Sequence, residues 1–190
     1  MSAPDSIPGR HERAAGRFTG VVDHVTDWDA PSPVPEWTAR DVVMHLVMWI
    51  HDFLQDGGVE LIRHIDGEDP AGTWHAHAAE IQRLLESPAA DEDFTHPSDP
   101  AGAGPLGETL DRLYTVDVMM HTWDLAEAAG LPSGLDPDEC AQLLAGMRQI
   151  ETLLRESGQF GEPVAVPDDA DGVVRLMAFI GRDPNWRTRA

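Results

Sequence analysis

A chain of 190 residues with 42% hydrophobic content is long enough to bury a full core, and its length predicts one domain over residues 1–190. Its formal net charge of -21, from 34 acidic and 13 basic residues, would repel a phosphate backbone over most of the surface, so nucleic acid is not an expected partner. No stretch approaches the roughly 18 apolar residues of a membrane span, the opening MSAPDSIPGRHERAAGRF has no apolar signal core, and a lone Cys140 rules out an internal disulfide. A cytoplasmic protein with no membrane partner is expected.

Ala14, Ala15, Phe18, Val21, Val22, Val25 and Trp28 recur at helical spacing and predict a first helix over about 8–29, stopped by the three prolines of APSPVPEW. WTARDVVMHLVMWIHDFLQDGG predicts a second, with Thr38 as N-cap, Asp41 completing a capping box and Gly57-Gly58 as the stop. A short helical piece is expected through VELIRHI. TWHAHAAEIQRLLES then gives a third amphipathic helix with Ala78, Ile81, Leu84 and Leu85 on its apolar face. Residues 88–105, rich in Pro, Gly and acidic residues, read as a long surface loop. LYTVDVMMHTWDLAEAAG, residues 113–130, is a fourth helix ending at Gly130. A fifth is expected from Pro137 to Ser157 with Asp136 as cap, FGEPVAVP as an extended segment, and a last helix stopped at Gly181. There is no internal repeat and no strand signal strong enough for a sheet. The predicted class is all-α, an antiparallel four-helix bundle with additional C-terminal helices.

The fourth helix carries an unusual stripe. Four residues advance a helix by about 400° and seven by about 700°, so Asp117, His121 and Asp124 share one face, beside an apolar face of Leu113, Val116, Met120 and Trp123. A carboxylate at a core boundary needs an ion pair, a hydrogen-bond network or a metal. Among nine histidines, His45 stands out: Val42, Leu46 and Trp49 lie on one side of it and Met44 and Met48 on the other, which predicts an inward side chain. An inward His is a satisfied core residue or a ligand. With Asp117 and His121 from another helix it would complete a three-ligand site whose remaining positions stay open to water or substrate.

Asp124 is a candidate to orient a ligand histidine from behind, or else an ordinary helix carboxylate. Asp41 reads as a cap. His75 and His77 differ by about 200° on a helix and cannot share a site. His11, His24, His51, His64 and His96 are expected to be solvated. Cys140 has no base partner in sequence and is weak as a nucleophile.

EWTARDVVMHLV, VDVMMHTWDLAEAAG and RLMAFIGRDPNW together resemble the DinB-like superfamily of metal-binding bundles, in the branch containing the N-terminal domain of mycothiol-dependent maleylpyruvate isomerase. The resemblance covers nearly the whole chain. In that family a His of the second helix, and an acidic residue four positions before a second His, hold the metal, which implies His45, Asp117 and His121 here. The family's acid is Glu and this chain has Asp117, one methylene shorter. No segment here resembles the isomerase's second domain, so maleylpyruvate isomerisation is not the expected reaction.

The resemblance implies a divalent ion, zinc first with Ni, Fe or Mn also suited to the donors, and mycothiol as a cosubstrate. The leading expectation is a metal-dependent thiol transferase or isomerase acting on a small-molecule electrophile. The alternatives are a non-catalytic metal-binding, small-molecule-binding or regulatory protein, and a metal-free remnant in which Asp117 pairs with His121. Apolar faces on the appended helices would suit a homodimer.

Overall fold

The computed structural model describes residues 3, 5–99 and 102–189. α1 (Ile7–Val22), α2 (Ala39–Asp56), α3 (Pro70–Leu85) and a fourth helical run from Leu106 to Ala129 build the expected bundle. The fourth run consists of α4 (Leu106–Leu110), a π-helical turn (Asp111–Thr115) and α5 (Val116–Ala129). α1 and α2 each pack between α3 and α5, closing a four-helix ring. Phe18, Leu46, Ile50, Leu54, Trp74, Ile81, Leu110, Tyr114 and Leu125 are fully buried in its core.

The second helix is bounded as expected. Thr38 accepts from Asp41 N–H, and the Asp41 carboxylate accepts from Thr38 N–H at 2.8 Å, a reciprocal capping box. The first helix is shorter than its apolar spacing suggested and ends at Val22. Beyond it the chain folds back on α2, with Arg40 N–H donating to Trp28 O and Ala39 N–H to Ala30 O. Val25 and Trp28 thus reach the core from irregular backbone, their helical spacing being coincidental.

VELIRHI is not helical either. Ile62 N–H donates to the buried Glu80 carboxylate at 2.7 Å, a tether that replaces the helical partner, and the Ile62 and Ile65 side chains face solvent. The acidic 88–105 segment is more ordered than a plain loop. It holds a 3₁₀ turn (Pro88–Asp91) and a two-residue antiparallel ladder of β1 (Asp93–Phe94) with β2 (Gly104–Pro105). Phe94 is buried on Phe53 and lies flat against Gly57, where any Cβ would strike its ring. Pro100 and Ala101 of this segment fall outside the described residues.

The predicted fifth helix breaks at Ile150 into α6 (Pro137–Gln149) and α7 (Glu151–Glu156), with Asp136 capping α6 as expected. α8 (Gly172–Phe179) packs on α6, and α9 (Trp186–Arg189) touches α5. FGEPVAVP runs extended across the end of α8, with Gly161 N–H on Ile180 O and Val164 N–H on Ala178 O. Cys140, Leu144, Leu176 and Met177 form a second core together with Met120 and Trp123 of α5. α5 therefore lies between two cores, which explains how a helix with a polar stripe is buried nearly all round. Among the described residues no helix is long and apolar enough to cross a membrane.

Candidate metal centre

α2 and α5 are neighbours, and their contact brings His45, Asp117 and His121 together. One donor atom from each lies within 4.8 Å of the others. His45 Nε2 is 3.4 Å from Asp117 Oδ2, and His121 Nε2 is 3.5 Å from Asp117 Oδ1. Both gaps exceed the 2.7–2.9 Å of a charge-assisted hydrogen bond. They are close to the separation of about 3.3 Å between donors that share a tetrahedral ion at 2.0–2.1 Å. The residues present therefore fit a divalent metal. The three side chains grade from half-open to buried, with exposures of 31% for His45, 19% for Asp117 and 7% for His121.

The carboxylate and the deeper imidazole are held from behind. Trp49 Nε1–H donates to Asp117 Oδ2 at 2.9 Å. His121 Nδ1 meets Asp124 Oδ2 at 2.9 Å, so a neutral ring that donates through Nδ1 presents its Nε2 lone pair to the cluster. Asp124 is fully buried and grips Arg182 through two hydrogen bonds of 2.8 and 3.0 Å. Burial alone would raise the Asp124 pKa, but His121 and Arg182 outweigh it and hold the carboxyl below its usual range. At Asp117, burial is likewise outweighed by His121, His45 and the Trp49 N–H, and the pKa falls. For His121 burial opposes the charge, yet Asp117 and Asp124 raise its pKa.

Through His45 the cluster borders an open depression of about 580 Å³ lined by Glu36, Trp37, Asp41, Met44, His45, Met48, Trp49 and Asp52. Trp37 comes from the proline loop, closed by Ser32 N–H on Trp37 O and Trp37 N–H on Val34 O. Its ring centroid is 4.8 Å from that of His45 and 5.8 Å from that of His121. His45 is thus less enclosed than its flanking methionines suggested, since Met48 is 47% exposed.

Of the remaining histidines, His24 and His64 are solvent-exposed as expected, and His96 is half-buried. His75 is exposed on Asp23, and His77 is buried on the Tyr114 hydroxyl at 2.7 Å, so the two do point apart. His11 and His51 overturn the expectation of solvation: they are 0% and 3% exposed. His11 Nδ1 bonds the Gln82 side chain and its ring stacks on Tyr114, while His51 packs beside His77. Polar sequence neighbours misled because every turn of an amphipathic helix mixes both faces. Cys140 is buried, and burial first, then Glu139, pushes its thiol up to about 12.

Three residues of the site were not foreseen. Trp49 follows His45 by four positions and so shares its face, a signal that was present; Trp37 and Arg182 approach only through loop folding and a 58-residue separation.

A helical bundle that gathers two imidazoles and a carboxylate beside an open depression has the architecture of the DinB-like proteins. Residues 11–126 match the mycothiol maleylpyruvate isomerase N-terminal domain, and the chain belongs to that family. It is also 30% identical, over 90% of its length and 95% of theirs, to uncharacterized proteins MT0763 and Rv0738 of two Mycobacterium tuberculosis strains, CDC 1551 / Oshkosh and ATCC 25618 / H37Rv. No solved structure matches it.

Proposed function

We propose that this protein is a metal-dependent enzyme in which His45, Asp117 and His121 hold one divalent ion, zinc by its donor set, to activate a small thiol of the mycothiol kind toward a small electrophile. The observation that carries this reading is the pair of Nε2 atoms standing 3.4 and 3.5 Å from opposite oxygens of one carboxylate, beside an open depression. Family membership supplies the thiol. Bound there, such an ion supplies positive charge that favours a thiolate over a thiol near neutral pH.

The protein's own residues set the geometry. Trp49 and Asp124 fix the carboxylate and the deeper imidazole, Arg182 fixes Asp124, and the depression admits the reactants from solvent. A thiolate sulfur adding to an activated alkene forms an S–C bond while the π pair moves onto the conjugated carbonyl, and a proton from solvent completes the adduct. If the adduct persists the outcome is transfer; if instead the former double bond, now single, rotates before that proton arrives and the pair returns from the carbonyl to expel the thiolate, it is isomerisation. The two cores act as one domain, because α5 belongs to both.

The test is titration of the Co(II)-substituted protein with mycothiol. Growth of a thiolate-to-cobalt absorption band is the expected outcome, and a spectrum that ignores mycothiol at millimolar concentration removes thiol chemistry from the proposal.

A further inference from the structure

The depression beside the metal ligands has walls of one kind and a rim of another. Trp37, Met44, Met48 and Trp49 supply two indoles and two thioethers, none of them fully buried. Glu36, Asp41 and Asp52 supply the lining charge, and no Arg lines it. Two of these carboxylates are already engaged: Asp41 closes the α2 capping box and Asp52 pairs with Arg63. The Glu36 carboxylate makes no hydrogen bond or ion pair among the described residues, and Glu36 is the one described non-glycine residue at positive φ, 66°. That conformation is costly for a residue with a Cβ, and the closed proline loop imposes it. The loop thereby sets a free carboxylate next to Trp37, the residue that covers both imidazoles.

Half-exposed indole and thioether surface gathered around one depression, with Met48 47% exposed, is suited to hold a ligand. Aromatic faces together with carboxylates attract organic cations, through ring quadrupoles and through charge. On the side of the depression away from His45, the same carboxylates disfavour an anion. We propose, resting on the functional reading above, that the electrophile taken up by this site is a small organic cation, with its charge held between Trp37, Trp49 and Glu36, and that dicarboxylates such as the maleylpyruvate of the family's name are poor ligands. Asp117 and the metal act at the sulfur, whereas Glu36 and the two indoles select its partner.

Calorimetric titration of the metal-free protein tests selection without relying on metal or thiol chemistry. The probes are benzyltrimethylammonium, benzyl alcohol and benzoate, which share a ring and differ in charge. The cation is expected to bind about tenfold or more tightly than benzoate at low salt, with the gap narrowing as salt is added. Glu36→Gln should weaken the cation several-fold and leave benzyl alcohol unchanged. Glu156→Gln, the same charge change on α7, should alter neither, which separates a local site from the attraction of a chain with net charge -21. Benzoate binding as tightly as the cation, equal effects of the two variants, or no saturable binding of the cation at tens of millimolar overturns the proposal. Each of these outcomes leaves the thiol–cobalt titration to succeed or fail by itself.

Discussion

The bundle contains two histidine clusters that differ in their surroundings. His45 and His121 lie against a carboxylate beside open space, and the deeper imidazole has its pKa raised. His11, His51 and His77 lie inside the ring of α1, α2, α3 and the π turn, with Tyr114 and Gln82 as neutral partners, and all three have lowered pKa values. Burial dominates at His11, His51 and His77, where no carboxylate is near enough to reverse it. At His121 it is also the largest influence, but two aspartates overcome it. The same residue type in the same fold is therefore a candidate ligand in one place and a neutral space-filling polar group in the other. The difference lies in the partner.

That contrast can be broken at its strongest point by substitution. His45→Ala or His121→Ala should abolish stoichiometric metal uptake, whereas His11→Ala should keep the ion and lower the melting temperature. Metal analysis after dialysis, beside a thermal melt, decides. If His11→Ala loses the ion in a folded protein, or His45→Ala retains it, the two clusters have been assigned the wrong way round.

Acid should separate the clusters next. The buried imidazoles have folded pKa values below the unfolded value of about 6.5, to about 3 for His77, so protons bind the unfolded chain more readily. Their contribution to stability is present above pH 6.5 and is lost as the pH falls below it. For His77 the loss is about 2 to 3 kcal/mol by pH 4.5. His121, with a raised value, contributes fully below 6.5 and stays flat through that window, and the depressed carboxyls of Asp117 and Asp124 hold until lower pH. Urea unfolding of the metal-free protein between pH 7.5 and 4.5 measures the slope. A His77→Phe variant should flatten it, and an unchanged slope would place the proton uptake elsewhere.

The smallest expected effect sharpens the role of the support behind His121. Arg182→Ala leaves Asp124 buried with one partner and should weaken metal affinity by roughly 10- to 100-fold, the usual consequence of losing such a contact. Competition against a chelator gives the number. Arg182→Lys should recover part of it, since an ammonium replaces the charge but not the two-pronged fork. A fully wild-type affinity in Arg182→Ala would show that His121 needs no help from the C-terminal segment.

The ligand candidates were legible in the sequence because they obey a local rule. Asp117, His121 and Asp124 recur at helical spacing, and His45 sits in a helix whose cap and stop are both explicit. The bundle was legible for the same reason, its apolar positions following a 3.6-residue period. What escaped was set by tertiary contact. The end of α1 depends on backbone bonds to α2, the straightness of VELIRHI on Glu80, and the break at Ile150 has no Gly or Pro to announce it. The π turn is another such feature. Tyr114 within it is fully buried, while the Asp117 side chain three residues on lies against both imidazoles at 19% exposure.

The 58 residues between Asp124 and Arg182 also bear on how the protein is made. At 5–20 residues per second a ribosome takes roughly 3 to 12 s to cover that distance. All four bundle helices have left the peptidyl-transferase centre by then, with Asp124 still lacking its cation. During that interval Asp124 already faces His121 along α5, but its carboxylate lacks the second partner that holds it in place. Under the function proposed above, metal affinity would reach its full value only at the end of synthesis, once α8 has passed and Arg182 closes behind Asp124.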